Sequence, residues 1–279
     1  MNLKNIAIII LILVIIVVVI IKIRIKEIPQ NIVNIEKTGV VSDLNSLTLT
    51  DVLAKFSTNY NEENISRTTN VRLASNKINN AIVMPNEVFS YNNLVGERTL
   101  ELGFKEATGY FAGKTVNTVG GGICQVSSTL YNAAIYANLE IVERTSHQFL
   151  PSYVSAGEDA TVVWGLTDFK FKNTRKYPIK IVCSAINGKC EVLIYGIKED
   201  IEYKVETESV ITEELNYKTI YEEDSTMKKG EQKVTQEGAK GKKSRFYKVL
   251  KLNGKFISKT LLSVDVYNPK NTYISIGTN

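Results

Sequence analysis

The sequence predicts an α+β chain in three parts: a mixed domain whose central helix begins at Cys124, an all-β domain after it, and an apolar transmembrane helix before it. Three observations predict this. Gly120-Gly121-Gly122 runs into a helical pattern that opens at Cys124, Asn-Gly pairs at 187–188 and 253–254 centre alternating segments, and Ile6 to Ile21 is an uninterrupted run of Ile, Leu, Val and Ala. The boundaries that follow are 1–26 for the anchor, 27–50 for a stalk, 51–200 for the mixed domain and 201–279 for the β domain.

With Leu3, Ile23 and Ile25, the first apolar run approaches the roughly 20 residues that cross a bilayer. Lys22-Ile23-Arg24-Ile25-Lys26 follows it and offers no small-residue cleavage site, so the sequence reads as a retained single-pass anchor rather than a cleaved leader. Lys4 and the terminal amine on one side face three cations on the other, and this count leaves orientation open. The 279 residues carry 44% hydrophobic content, enough for one or two cored domains, and a net charge of +5. No recognition helix, zinc spacing or aromatic-lined basic sheet accompanies that charge, so the reading is of no nucleic-acid partner.

Glu27 to Leu47 is polar with scattered Ile and Val and reads as the stalk. Leu53 and Phe56 suggest a short helix or turn. Val71, Leu73, Ile78 and Ile82 suggest a longer helix that Pro85 would cut at or before Met84. Asn86 to Tyr91 reads as a turn and strand, and Gly96, Gly103, Gly109 and Gly113 leave only short extended pieces. Past Cys124, the residues Val126, Leu130, Ala133, Ala134 and Ala137 share one helical face, with Ser127, Ser128, Asn132 and Asn138 elsewhere. Strands are then expected at 139–142, 160–164 and 168–172, and the hairpin about Asn187-Gly188 closes the domain. Beyond Asp200, Lys, Glu and Thr dominate and Asn253-Gly254 centres a second hairpin.

Three cysteines make an odd number. Cys183 and Cys190 flank the first Asn-Gly turn on one face but diagonally, a marginal separation for a disulfide. Cys124 is left over in either case.

Glycines that permit close backbone approach, a helix start and the single histidine, His147, point to an activated thiol. A helix N-terminus and a nearby imidazole both stabilise thiolate. In such a site Cys124 attacks a carbonyl, His147 moves the proton, and backbone N–H groups by Cys124 hold the oxyanion. Asp159, Asp168 or Tyr153 would orient the imidazole. A buried, unreactive cysteine with a structural histidine is the competing reading. One His and two hairpin cysteines do not supply a tetrahedral metal set, and no Lys-Ser/Thr pair follows the glycines as a phosphate loop requires, so neither metal nor cofactor is called.

In order, Phe56-Ser57-Thr58, Pro85 to Ser90, Val95-Gly96-Glu97-Arg98-Thr99, Gly120 to Asn132, Glu143 to His147 and Gly157 to Val162 resemble the VanW family, over roughly Asp51 to Gly196. Gly230, Gly238, Gly241, Gly254 and Gly277, in their local sequences, resemble the five-glycine wall-binding domain. The resemblance implies a location outside the cytoplasm and peptidoglycan stem peptides as partners, with glycan containing N-acetylglucosamine held by 201–279. It implies an L,D-transpeptidase making 3-3 crosslinks through an acyl-enzyme on Cys124, or a carboxypeptidase when water is the acceptor; Cys124, His147 and Asp159 are the expected catalytic residues. Arg144, Gly121, Gly122, Gln125, Tyr153 and Asp168 are the expected substrate-binding residues, Arg144 as a fork for a stem carboxylate. An NlpC-type endopeptidase, which also places its Cys before its His, and a non-catalytic wall-binding scaffold are the alternatives. The 27–50 stalk reads as too short for the peptidoglycan-binding region that often precedes the VanW module.

Overall fold

The computed structural model describes residues 48–111 and 114–279. The expected anchor, and the stalk up to residue 47, lie outside the described residues. Among the described residues no helix is long and apolar enough to cross a membrane.

In chain order the elements are β1 (Asp51–Asn59), α1 (Ile65–Ile78), β2 (Ile82–Val83), β3 (Val88–Ser90), α2 (Tyr91–Val95), β4 (Glu106–Phe111), β5 (Lys114–Val119), α3 (Cys124–Tyr136), β6 (Glu140–Glu143), β7 (Lys170–Lys172), β8 (Ile179–Ile186) and β9 (Lys189–Gly196). The all-β part follows with β10 (Lys204–Leu215), β11 (Thr219–Asp224), β12 (Gln232–Gln236), β13 (Gly241–Leu252), β14 (Lys255–Tyr267) and β15 (Thr272–Gly277).

Four strands in the order β1-β9-β8-β2 make the main sheet of the mixed part, and β3-β7-β6 make a second. The period of two in β8 and β9 turns Ile179, Ile181 and Cys183, with Cys190, Val192 and Ile194, into the core. Helices α1 and α3 cover that face, and Phe56 of β1 stacks on Tyr136 of α3 at 5.9 Å between centroids. Asn187 (φ 51°) and Gly188 (φ 69°) form the tight turn the Asn-Gly pair predicts, as do Asn253 (φ 50°) and Gly254 (φ 79°). Cys183 stands opposite Val192 and Cys190 opposite Ala185, the predicted diagonal, and both are buried free thiols. In the all-β part the sheets are β10-β13-β14 and β11-β15-β12, with β11 and β15 parallel.

Three sequence expectations change. Asp51–Asn59 is a strand rather than a helix or turn. A bulge between Val52 and Ala54 breaks its alternation, which leaves Leu53 and Phe56 at helix-like spacing. Helix α1 stops at Ile78, well short of Pro85, because Asn80 turns to φ 64° and Ile82–Val83 joins β8 instead. Residues 160–164 do not form a strand beyond a single bridge from Val163 to Thr167. The segment is tied to its surroundings instead: Ala160 N–H donates to Ser128 Oγ (3.0 Å), Ala160 C=O accepts from Ser127 Oγ (2.6 Å), and Thr161 N–H donates to Thr145 C=O (2.8 Å).

Helix α3 is therefore central on all sides, since every residue from Gln125 to Ile135 is buried. Its polar residues are satisfied by the segments around it. Asn132 Nδ2 donates to Glu158 C=O at 2.6 Å, and Thr129 Oγ1 meets Thr58 Oγ1 at 2.8 Å. Each such bond contributes about 1 kcal/mol net, and together they fix the 158–160 segment against the helix that begins at Cys124.

Candidate active site

The loop before α3 is shaped by its glycines. Gly120 and Gly122 hold φ of 82° and 106°, a region open to glycine. A Cβ on Gly121 would lie 2.7 Å from the Ala107 carbonyl carbon, so only glycine lets the two backbones pass. The loop delivers Cys124 as the first residue of α3, half-buried, with its Sγ 3.6 Å from the Val162 carbonyl oxygen. No side chain caps this helix. The N–H groups of Gly122 and Cys124 make no backbone bond among the described residues, so positive dipole ends face the thiol.

His147 lies in the irregular segment between β6 and β7, and Asp159 lies in the same segment. Asp159 Oδ2 accepts from both the His147 N–H and the His147 Nδ1, each at 2.6 Å. Asp159 Oδ1 accepts from Arg144 Nη2 (2.7 Å) and from the Tyr267 hydroxyl (2.5 Å). Four donors thus hold one carboxylate that is closed to solvent. A proton on Nδ1 directed at Asp159 leaves Nε2 for the thiol.

The charges follow from these contacts. Burial pushes the Cys124 thiol up, but hydrogen bonding and charge interaction with His147 outweigh it and lower the thiol below its ordinary value. Burial pushes His147 down, and the Asp159 and Cys124 contacts overcome this and raise it to about 9. Asp159 is held below the usual carboxylate range, where His147 and Arg144 outweigh its burial. The contacts favour a thiolate beside an imidazolium backed by a carboxylate, and a thiolate of this kind is the nucleophilic form of cysteine.

Of the three residues considered to orient the imidazole, Asp159 is the one in contact with it. The Tyr153 hydroxyl hydrogen-bonds Ser128 and is close enough to Cys124 for burial and the thiolate together to push it up. Gly122 borders the thiol and is half-exposed. The other expected substrate contacts are occupied within the fold. Arg144 places Nε on the Asp159 carbonyl (2.6 Å) and Nη1 on Asp265 (2.6 Å), in addition to its Asp159 carboxylate bond, so no fork is left for a substrate. Asp168 accepts from the Ser90 hydroxyl (2.6 Å) and from the Asn92 and Phe169 N–H groups (both 2.8 Å), which ties down the start of α2. The Gln125 amide spans Thr58 (3.0 Å), Asn59 (2.9 Å) and Arg67 (2.9 Å), and Gly121 is buried under Ala107. These four are framework residues because their polar groups or backbone are already satisfied or enclosed.

Sequence reasoning missed four side chains. Arg67 lies across Gly122, where a Cβ would meet its Cγ at 2.8 Å. Arg98 stacks on Tyr91 (5.9 Å) and Trp164 (6.0 Å), and its charge reaches Cys124. It belongs to the quoted Val95 to Thr99 stretch, which was the available signal. Asp265 and Tyr267 come from the other domain, and nothing in their local sequence marks them. A cavity of about 810 Å³ runs between β6 and β14 along Arg144, Ser146 and Asp265 and does not include Cys124.

Among the described residues, fold and site together define an α+β domain with a half-buried Cys124 and His147 on a buried Asp159, followed by an all-β domain. Residues 66–195 match the family described as VanW like protein, and residues 206–279 match the G5 domain, so the chain carries a VanW-like domain followed by a G5 domain. The chain is 43% identical over 157 residues to the uncharacterized protein YoaR of Bacillus subtilis, covering 56% of this chain and 52% of that protein. It is 31% identical over 109 residues to the vancomycin B-type resistance protein VanW of Enterococcus faecalis, covering 37% of this chain and 40% of that one. The chain therefore spans about half the length or less of these relatives. The IgA1 protease G5 domain is 23% identical and covers 30% of this chain and 99% of its own, at a TM-score of 0.21. HP0197-G5 is 29% identical and covers 27% and 99%, at a TM-score of 0.17.

Proposed function

We propose that this chain is a cysteine acyltransferase of the bacterial wall, an L,D-transpeptidase that joins peptidoglycan stem peptides by 3-3 crosslinks. The observation that supports it most is the His147 imidazole, fixed by Asp159 and in contact with the thiol of Cys124 at the start of α3.

The chemistry balances on these groups. The Cys124 thiolate attacks the carbonyl before the terminal D-residue of a tetrapeptide stem, and the Gly122 and Cys124 N–H groups hold the oxyanion. His147 gives its proton to the departing amine as the C–N bond breaks, which leaves a thioester. The amine of a neighbouring stem then attacks the thioester and gives its proton to His147, so an amide forms as the thiolate departs. Water in place of the amine gives a carboxypeptidase. The G5 domain holds wall glycan on this reading, and residues 1–26 anchor the chain with residues 51–279 outside the cytoplasm.

The test is to incubate the 279-residue chain and its Cys124→Ala variant with a disaccharide tetrapeptide and follow the products by mass spectrometry. Dimers that have lost one terminal residue, formed by the parent chain alone, support the proposal. Shortened stems without dimers make the protein a hydrolase, and unmodified substrate with folded protein removes the enzymatic reading in favour of a wall-binding scaffold.

A further inference from the structure

The segment from Arg144 to Ala160 carries His147 and Asp159 but has no strand or helix of its own. Its shape is set by what it docks on, and part of that support comes from the G5 domain. The Tyr267 hydroxyl accepts from the Gly157 N–H at 2.7 Å and donates to Asp159 Oδ1 at 2.5 Å, so one buried oxygen fixes both the backbone turn and the carboxylate. Asp265 Oδ1 takes Arg144 Nη1 at 2.6 Å, while its Oδ2 accepts from the Ser263 hydroxyl at 2.6 Å. The same Arg144 donates to the carbonyl and the carboxylate of Asp159. Gly157 holds φ 90° and sits so close to Phe246 that a Cβ would come within 2.6 Å of the Phe246 Cγ. Asn268 N–H donates to Gln148 C=O (2.7 Å) and Ser209 Oγ to Ala156 C=O (2.6 Å).

We infer that the G5 domain is a working part of the thiol site: Tyr267 and, through Arg144, Asp265 are positioning residues for the Asp159–His147 pair, and the site is complete only when the domains are docked. The inference rests on the reading of Cys124 as the nucleophile. Without the Tyr267 hydroxyl, the Gly157 N–H is left unpaired and Asp159 Oδ1 keeps Arg144 alone, so the carboxylate and the imidazole it aims lose their fixed angle. The charged and titratable groups around Asp159 are His147, Arg144, Asp265, Tyr131, Tyr153 and Tyr267, those around His147 are Asp159 and Cys124, and those around Cys124 are His147, Arg98, Tyr91 and Tyr153. A domain that grips the wall and also aligns the imidazole links location to reactivity.

The experiment measures the pH dependence of Cys124 alkylation by iodoacetamide, read by peptide mapping, together with transfer kinetics. The variants are Tyr267→Phe, Asp265→Asn, Asp265→Ala and, as an interface control, Thr207→Val. Thr207 bonds Tyr136 across the same domain boundary at 3.0 Å without touching the site. In Tyr267→Phe the alkylation midpoint moves to higher pH and kcat falls about 10- to 100-fold, the size expected for a misplaced catalytic group, with KM little changed. Asp265→Asn, which keeps an acceptor for Arg144, retains more of both properties than Asp265→Ala. Thr207→Val keeps the parent midpoint. A folded Tyr267→Phe with the parent midpoint and kcat overturns the inference, as does an equal shift in Thr207→Val. Should Tyr267→Phe not fold, the two Asp265 variants decide, and equal parent-like behaviour in both overturns it. If the midpoints shift as stated while no variant or parent transfers an acyl group, the positioning stands and the transpeptidase reading fails.

Discussion

Tyr267 and Asp159 are 108 residues apart in the chain, yet the Tyr267 hydroxyl donates a 2.5 Å hydrogen bond to the carboxylate that holds His147. Burial and the neighbouring Asp159 charge push this phenol well above its ordinary range, so it stays protonated and remains a donor across the accessible pH range. Asp159 is therefore held from two domains, and on the proposed reading of Cys124 as the nucleophile the consequences are measurable.

The first concerns the pH dependence of acyl transfer. The thiol is lowered and His147 is raised to about 9, so the thiolate–imidazolium pair persists from the lowered thiol midpoint up to about pH 9. On the proposed reading the rate is expected to rise as pH passes the lowered thiol midpoint and to fall on passing about 9, where the imidazolium proton needed by the leaving amine is lost. His147→Asn should abolish that window and return the thiol toward an ordinary titration, with a rate loss of about 10²–10⁴-fold. A pH–rate profile of parent and variant checks both.

Stability should follow the same groups. His147 has a folded value above its unfolded one, so its contribution is fully present below about 6.5 and is lost as pH rises through about 9. Asp159 is lowered on folding, so its contribution is present above the ordinary carboxylate range and lost as pH falls through its depressed value. The melting temperature should therefore be highest between these limits. His147→Asn should flatten the alkaline decline seen in the parent, and thermal melts across pH 4–10 would show whether it does.

Gly121→Ala tests the glycine loop without altering any charge. The new methyl would meet the Ala107 carbonyl carbon at 2.7 Å and the Thr108 oxygen at 2.9 Å, and both are backbone atoms that cannot rotate away. Overpacking of this kind costs about 2 kcal/mol, a fall of roughly 4–8 °C in Tm for a domain of this size. A variant melting within a degree of the parent would show that the loop and β4 part more easily than the packing implies.

Much of this was legible in the sequence, and the misses have physical causes. Gly120-Gly121-Gly122 followed by the Val126 to Ala137 pattern located α3, and two Asn-Gly pairs located two turns, because these signals are local. The strand at 51–59 was not legible, since its bulge at Val52 to Ala54 gives the apolar residues helical spacing. Residues 160–164 look like a strand by composition, but the backbone of Ala160 is held by Ser127 and Ser128, whose buried polar role a one-faced helix pattern cannot show, and the Thr161 N–H goes to Thr145. His147 could be picked by chemistry alone, but Asp159 only as one of three candidates with Asp168 and Tyr153, and the 2.6 Å contact with the imidazole distinguishes it. Arg144 looked equally available for a ligand, and only the positions of Asp159 and Asp265 reveal that its donors are taken.

Arg98 provides the last prediction, because its charge and its packing point in opposite directions. Its guanidinium lies between Tyr91 and Trp164 and bonds Asn92 Oδ1 at 2.6 Å, while its Nε and Nη1 are buried without a hydrogen-bond partner. Unpaired buried donors oppose folding, whereas the positive charge helps lower the Cys124 thiol. Arg98→Met keeps the length and apolar stem and removes both effects. The thiol should then titrate at higher pH than in the parent, by less than in His147→Asn, while the melting temperature holds or rises despite the loss of the Asn92 bond. Alkylation of Cys124 against pH, read beside a thermal melt of the same sample, separates the two. A large fall in Tm would mean that the stacked cation is a net contributor to the fold, and an unmoved thiol would mean that its charge does not act on the site.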